Sequence, residues 1–255
     1  MDMLAAETTP PSRAASPRPT RVWKFWGTAL WGLFIFGAMF VGQLAVVAYF
    51  VLQQGEFDIA AAIHAVGAGL TISLSVIMGL PAVAAACWVA TRTSRTPFAD
   101  YLGLRGTSWK NVALGVLALI LLVACWDLLS RAMGREITPG FMGDVLKSAQ
   151  ADGALWLLVL AFCVAAPISE ELLARGFLYR GWSESFLGVP GAILLSSLVW
   201  TIVHLQYDWF FLAQVFSIGL LFGYLRYRTG STWLTILLHG LNNLAATVQT
   251  IWVTS

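Results

Sequence analysis

Long apolar runs separated by short polar segments dominate the chain from residue 23 onward. About 20 apolar residues are enough for a helix to cross the hydrocarbon core of a bilayer. Seven runs meet or approach this length, and we predict a spanning helix in each: residues 27–52, 66–91, 111–129, 155–182, 189–205, 209–225 and 232–253. The pattern therefore predicts an all-α, polytopic membrane helix bundle with about seven transmembrane helices.

Composition divides the chain into three regions. Residues 1–22 are rich in Ala, Pro, Ser, Thr and Arg, which is typical of a disordered tail. Residues 23–150 hold the N-terminal transmembrane helices, and residues 151–255 hold a second set with polar side chains inside the apolar runs. In the N-terminal set, Asp127 is expected to pair with Arg131, four residues further along the same helix.

The overall composition supports a membrane protein. Of 255 residues, 58% are hydrophobic and 11% are charged, whereas soluble domains carry about 25% charged residues. The net charge of +2 is too small to suggest a nucleic-acid partner. We therefore expect the lipid bilayer as the surroundings of the chain and no nucleic acid as a partner.

The basic residues predict an orientation. Four groups of them precede the first predicted span or follow the second, fourth and sixth, so seven spans would place these four groups on one side. Excess Lys and Arg mark the cytoplasmic side. We expect a multi-pass protein of the cell membrane with a cytoplasmic N-terminus.

The fourth run ends in charged residues. Ionisable groups inside a span are costly and mark candidate functional sites. Pro167 is tolerated at a helix start, so it is predicted to open a new helical run that contains the charges. Glu171 and Arg175 are four residues apart and share a face, whereas Glu170 points about 100° away. We expect Glu171 to pair with Arg175 and Glu170 to remain free as a base, although an ordinary ion pair at a helix end would explain the same residues.

Two later runs carry further polar side chains. His204 lies near the end of the fifth run, and His239 and Asn243 lie four residues apart in the seventh. Singly, each could hydrogen-bond across a helix interface. Together with Glu170 they supply a base, proton carriers and an oxyanion donor, which are the parts of a hydrolase site.

Three motifs hold these residues in order: Glu170-Glu171-x-x-x-Arg175, Trp200-x-x-x-His204 and His239-x-x-x-Asn243. Their order and spacing resemble the motifs of the CAAX prenyl protease type II family, also called the CPBP or Abi group of intramembrane proteases. The resemblance covers about residues 155–252, and Trp200 stands where the family usually has phenylalanine. It implies a membrane-embedded endopeptidase that acts on membrane-associated proteins or peptides, of the CAAX type or the bacteriocin-processing type.

The resemblance also implies roles for the residues. Glu170 with His204 would activate a water molecule, and His239 with Asn243 would stabilise the oxyanion. The group is often labelled a metalloprotease, and Glu170, His204 and His239 could bind zinc. Hydrolysis by glutamate without a metal fits the same residues equally well.

Two questions stay open at this point. If every span crossed fully, Glu170 and His204 would lie at different depths, so either the fifth and sixth spans do not cross fully or the fourth helix breaks at Pro167. The alternative functions are a non-enzymatic immunity or scaffold protein, and a proton-coupled transporter that uses the same polar groups as a relay.

Overall fold

The computed structural model describes residues 21–53 and 66–254, and the regular secondary structure within these ranges is helical. The predicted all-α, polytopic bundle is therefore confirmed. Most of the tail predicted over residues 1–22 lies outside the described residues.

A helix lies in each of the predicted spans. We number them α1 (Phe25–Gln53), α2 (Gly69–Ser94), α3 (Phe98–Leu102), α4 (Trp109–Ala132), α5 (Gly140–Ala151), α6 (Leu155–Ser183), α7 (Gly188–Ile202), α8 (Trp209–Thr229) and α9 (Thr232–Thr254). The short helices α3 and α5 lie in polar segments between predicted spans.

The helices differ in their ability to cross a membrane. Within the described ranges, five of them (α1, α2, α4, α6 and α8) are long and apolar enough to do so. Helix α7 has 15 residues, or about 22 Å of helix against a hydrocarbon core of about 30 Å. Helix α9 has 23 residues but includes more polar side chains. Among the described helices that lie in predicted spans, five are thus long and apolar, α7 is short, and α9 is longer but more polar.

Helix α6 lies at the centre of the bundle. Every residue from Leu172 to Leu178 is buried. On one side this stretch packs against α1, α2 and α3, where the ring of Phe177 stacks on Tyr101. On the other side Ala174 packs with Phe222 of α8 and Leu238 of α9. Glu171 and Arg175 of α6 are therefore surrounded by protein, where ionisable groups at membrane depth are tolerated.

Two stretches of α6 are π-helical, Ala161–Ala165 and Leu172–Leu178. Single-turn π segments inside helices are frequent at functional sites. Pro167 lies at the start of the α-helical stretch Ala166–Glu171 between them. The helical run that the sequence predicts after this proline is present, and α6 continues through it.

The first π segment leaves one carbonyl without a partner from its own helix. The N–H of Ala166 bonds the carbonyl of Ala161, five residues back. The next carbonyl, that of Phe162, would take its donor from Pro167, which has no N–H. Helix α9 supplies the donor, since Nδ2 of Asn243 lies 2.8 Å from the Phe162 carbonyl oxygen.

The end of α7 explains how residues from different spans can meet. The helix ends at Ile202, and residues 203–208 turn before α8 begins. Asp208 caps α8 by accepting from the backbone N–H of Phe210 at 2.8 Å, and it pairs with Arg135 at 2.6 Å. The fifth predicted span is therefore too short to cross fully, which is one of the two arrangements that would let His204 reach Glu170.

The pairing predicted for Asp127 is wrong. Its Oδ2 accepts a hydrogen bond from Nε2 of Gln249 on α9, at 2.9 Å. Between described residues, no ion pair joins Asp127 to Arg131. Arg131 is exposed at the helix end and can be solvated there, whereas the packing of α4 on α9 brings a neutral donor to the carboxylate.

Candidate active site

The second acidic residue of α6 belongs to a buried ion pair. Oε1 of Glu171 lies 2.8 Å from Nη1 of Arg175, and both side chains have no exposed surface. The guanidinium also donates from Nη2 to the carbonyl of Gly219, at 3.0 Å. Its carbon lies 4.6 Å above the ring of Trp200, within cation–π range. The charge of Glu171 is thus matched by the cation four residues away, as the spacing predicts.

The first acidic residue faces a different space. Glu170 has 14% of its side-chain surface exposed. It borders a small recess between α1, α6 and α7, whose lining includes Met39, Leu173 and Val199. Its Oε2 accepts a hydrogen bond of 2.6 Å from the indole N–H of Trp200. Glu170 therefore forms no ion pair with Arg175, and its carboxylate borders an apolar recess.

His239 joins the two carboxylates. Its Nδ1 lies 3.2 Å from Oε1 of Glu171, and its Nε2 lies 3.9 Å from Oε2 of Glu170. A carboxylate only accepts, so Nδ1 carries a proton in this contact. The ring is held next to α6 by a close helix approach, because a Cβ on the following Gly240 would lie 2.6 Å from the Cys163 carbonyl oxygen.

His204 reaches the same cluster from the turn after α7. Its Nδ1 lies 3.0 Å from the carbonyl oxygen of Trp200, so this nitrogen donates and Nε2 is left with a lone pair. Its ring packs edge-on against Trp200, with centroids 5.1 Å apart. The structure therefore brings His204 and Glu170 into contact with the same indole ring.

Tyr207 also lies beside His204, and the sequence argument did not include it. The two rings have centroids 5.8 Å apart. Burial, with a smaller contribution from the carboxylate of Glu170, raises the pKa of the Tyr207 hydroxyl to about 12. The phenol is consequently neutral at physiological pH and adds no charge to the site.

Asn243 has a bond that the sequence argument did not anticipate. One N–H of its side-chain amide donates a hydrogen bond to the carbonyl oxygen of Phe162. The amide has a second N–H, so donation to a substrate oxygen stays a prediction for this residue. The signal that could have revealed the first bond is Pro167, which removes the donor that Phe162 needs.

Trp200 is the residue whose importance the sequence argument missed most clearly. It is the aromatic residue of the second motif, and tryptophan also has a polar N–H that needs a partner when buried. In the structure it touches Glu170, Arg175, His204 and His239. Its contact with Glu170 joins residues 30 positions apart, so no local pattern could have predicted it.

The proposed zinc ligands are not arranged as a metal site. Zinc binds nitrogen and carboxylate oxygen at about 2.0–2.2 Å, usually with three or more protein ligands. In the part of the chain that the structure describes, no group of three His, Cys, Asp or Glu side chains is placed to hold a metal ion. Oε2 of Glu170, the oxygen nearest His239, already accepts the indole N–H. The side chains present do not fit a three-ligand zinc site in this arrangement.

Comparison with known proteins identifies the same part of the chain. Residues 152–245 match the family model described as type II CAAX prenyl endopeptidase Rce1-like. Among curated proteins, UPF0177 protein YbdI of Lactococcus lactis subsp. lactis (strain IL1403) is 29% identical over 146 residues, which cover 57% of this chain and 74% of the relative. No solved structure matches the chain. The family match contains all six candidate site residues: Glu170, Glu171, Arg175, His204, His239 and Asn243.

Proposed function

We propose that this chain hydrolyses a peptide bond of a membrane-associated substrate with water activated by Glu170. The match of residues 152–245 to the model of the Rce1-like type II CAAX prenyl endopeptidases supports this proposal. The family supports a CAAX-type intramembrane protease in general. The observation that carries the residue assignment is the different surroundings of the two carboxylates. Glu171 is bound to Arg175, whereas Glu170 borders a recess.

Glu170 would act as the general base. Its Oε2 is held by Trp200, which leaves Oε1 to accept a proton from a water molecule in the recess. The lone pair on Nε2 of His204 would accept the second hydrogen of that water and orient it. The water oxygen then attacks the carbonyl carbon of the substrate, and its proton passes to Glu170.

His239 would stabilise the tetrahedral intermediate. As the water oxygen bonds to carbon, the carbonyl electron pair moves onto oxygen and creates an oxyanion. Donation from Nε2 of His239 requires a proton on that nitrogen in addition to the one on Nδ1. Glu171, 3.2 Å from Nδ1, would offset the resulting positive charge. The free N–H of Asn243 would be the second donor, one helical turn further along α9.

Collapse of the tetrahedral intermediate completes the proposed hydrolysis. The carbon–nitrogen bond breaks, and Glu170 returns its proton to the leaving amine, so the base of the first step is the acid of the second. No step needs a metal ion, and the side chains present do not fit a three-ligand site.

The surroundings of the recess suit a substrate attached to the bilayer. Its lining is mostly apolar and includes Met39 of α1 and Val203 next to α7. Both helices lie at the side of the bundle with exposed apolar side chains, such as Leu33 and Leu194. A membrane-associated protein or peptide is therefore the partner we propose, and lateral entry from the lipid would bring it to Glu170.

The orientation that we propose places the basic end in the cytoplasm of a cell-membrane protein. Backbone hydrogen bonds join Arg21 to Ser94 and Thr232 to Gly103, so the start of α1, the end of α2 and the start of α9 lie at one end. Lys and Arg are in excess on cytoplasmic segments. This orientation puts the N-terminal side of α1 in the cytoplasm.

The direct test uses purified protein in liposomes with a prenylated peptide that ends in a CAAX box. Mass spectrometry of the products should show hydrolysis at one peptide bond within the box. The same peptide without the prenyl group tests whether cleavage requires a substrate that is anchored in the membrane. It should be cleaved more slowly. If both peptides stay intact in the presence of folded protein, the proposed activity is contradicted.

A further inference from the structure

We propose that Trp200 is a positioning residue whose indole N–H holds the Glu170 carboxylate in the orientation that activates water. This inference rests on the proposed function, since it takes Glu170 as the base. Nothing in the proposed chemistry requires Trp200 to touch the substrate.

The contact has the features of a strong hydrogen bond. The indole nitrogen lies 2.6 Å from Oε2 of Glu170, and Trp200 is only 4% exposed. Hydrogen bonds to an ionised acceptor are shorter and about twice as strong as neutral ones. In the described ranges, it is the one hydrogen bond that holds the Glu170 side chain, because Nε2 of His239 is 3.9 Å away.

The indole is itself held on several sides. Arg175 lies over its face at 4.6 Å, and His239 packs edge-on with ring centroids 5.2 Å apart. Phe222 of α8 packs at 6.1 Å, and Gly219 leaves room for the ring, because a Cβ there would lie 3.2 Å from Cε3 of Trp200. The ring cannot rotate without disturbing these contacts, so the direction of its N–H is fixed.

A fixed donor on one carboxylate oxygen has a consequence for the other. A carboxylate turns about its terminal bond with a broad, two-fold preference. Anchoring Oε2 removes that freedom and directs Oε1 to one place. A base must lie within about 2.6–3.2 Å of the proton it removes, so the loss of the anchor should lower turnover while substrate binding changes little.

Two replacements of Trp200 distinguish the effect of the indole N–H from the effect of the ring. Trp200→Phe keeps an aromatic side chain but removes the donor and part of the volume. Replacement of Trp200 by β-(3-benzothienyl)alanine at an amber codon keeps the bicyclic shape and puts sulfur in place of the N–H. The matched control is the same analogue at Trp182, which is also 4% exposed and donates its N–H to the Phe25 carbonyl at 3.3 Å, outside the site.

The measurement is kcat and KM for the prenylated peptide in liposomes, with the thermal midpoint of each variant. The benzothienyl analogue at position 200 should lower kcat about tenfold or more and leave KM within about twofold, since a charge-assisted hydrogen bond is lost. Its thermal midpoint should match that of the analogue at position 182, which should have wild-type kcat. Trp200→Phe should show at least the same loss of kcat.

The result that overturns the inference is a wild-type kcat for the benzothienyl analogue at position 200. In that case the indole acts only by its shape. Failure of the proposed function looks different: Glu170→Gln would then keep its activity. An inactive Glu170→Gln together with a fully active analogue would reject the role of Trp200 alone.

Discussion

Replacement of Glu171 by glutamine should destabilise the fold strongly. Glutamine has nearly the same size and retains one acceptor oxygen, so the change removes a charge and little else. Arg175 would then keep the Gly219 carbonyl at 3.0 Å and the aromatic face of Trp200, but it would lose its ion-pair partner. Its guanidinium has no exposed surface through which water could compensate.

The expected magnitude follows from that burial. Removal of one partner of a buried ion pair leaves an uncompensated charge and typically costs about 3–5 kcal/mol. Arg175 and His239 both donate to Oε1 of Glu171, so the remaining amide oxygen of glutamine can keep both hydrogen bonds, which argues for the lower part of that range. The chain provides a control in Glu184 and Arg180, which have the same spacing and a distance of 2.7 Å but are 44% and 40% exposed. Glu184→Gln should cost no more than about 0.5 kcal/mol, because exposed pairs are solvated and screened by salt.

The assay is equilibrium unfolding by SDS in mixed micelles, followed by circular dichroism. The difference in unfolding free energy between Glu171→Gln and Glu184→Gln isolates the effect of burial, since both variants remove one carboxylate from an i,i+4 pair. Equal free energies for the two variants would refute the reasoning. The inner pair would then be hydrated or otherwise compensated in solution.

Two further predictions concern the chemistry. Asn243→Ala should lower kcat about 100- to 1000-fold with little change in KM, and it should cost about 1–3 kcal/mol because the Phe162 carbonyl loses its donor. Asn242→Ala is the control in the same assays, and a loss of stability without a loss of kcat would assign Asn243 a structural role only. For the metal, protein treated with a strong chelator should retain its peptidase activity. Activity that disappears with the chelator and returns with added zinc would contradict hydrolysis without a metal.

Local pattern was enough for the positions of the helices and for the division of the acidic pair. The third predicted span, residues 111–129, lies within α4 (Trp109–Ala132), because the length of an apolar run indicates the length of the helix that it forms. The four-residue spacing of Glu171 and Arg175 predicted their contact because both lie on one helix.

Contacts between helices could not be predicted in this way. Asp127 pairs with Gln249, 122 positions away, although a neighbour at four residues was available. The donor on Glu170 comes from Trp200 on another helix. The end of α7 at Ile202 could not be predicted either, because the apolar residues Val203 and Leu205 follow the last residue of the helix. Each of these depends on tertiary packing, which overrides local preference.

The measurement that tests the central claim most directly is turnover of the prenylated peptide by Glu170→Gln in liposomes. Glutamine can still accept the indole N–H of Trp200 through its amide oxygen, but it cannot take a proton from water. Since Glu170 is outside the buried ion pair, we expect the variant to unfold at the same SDS fraction as the wild-type protein. Its turnover should fall at least about 100-fold, the usual contribution of a general base. Cleavage at the wild-type rate by folded Glu170→Gln would contradict the account.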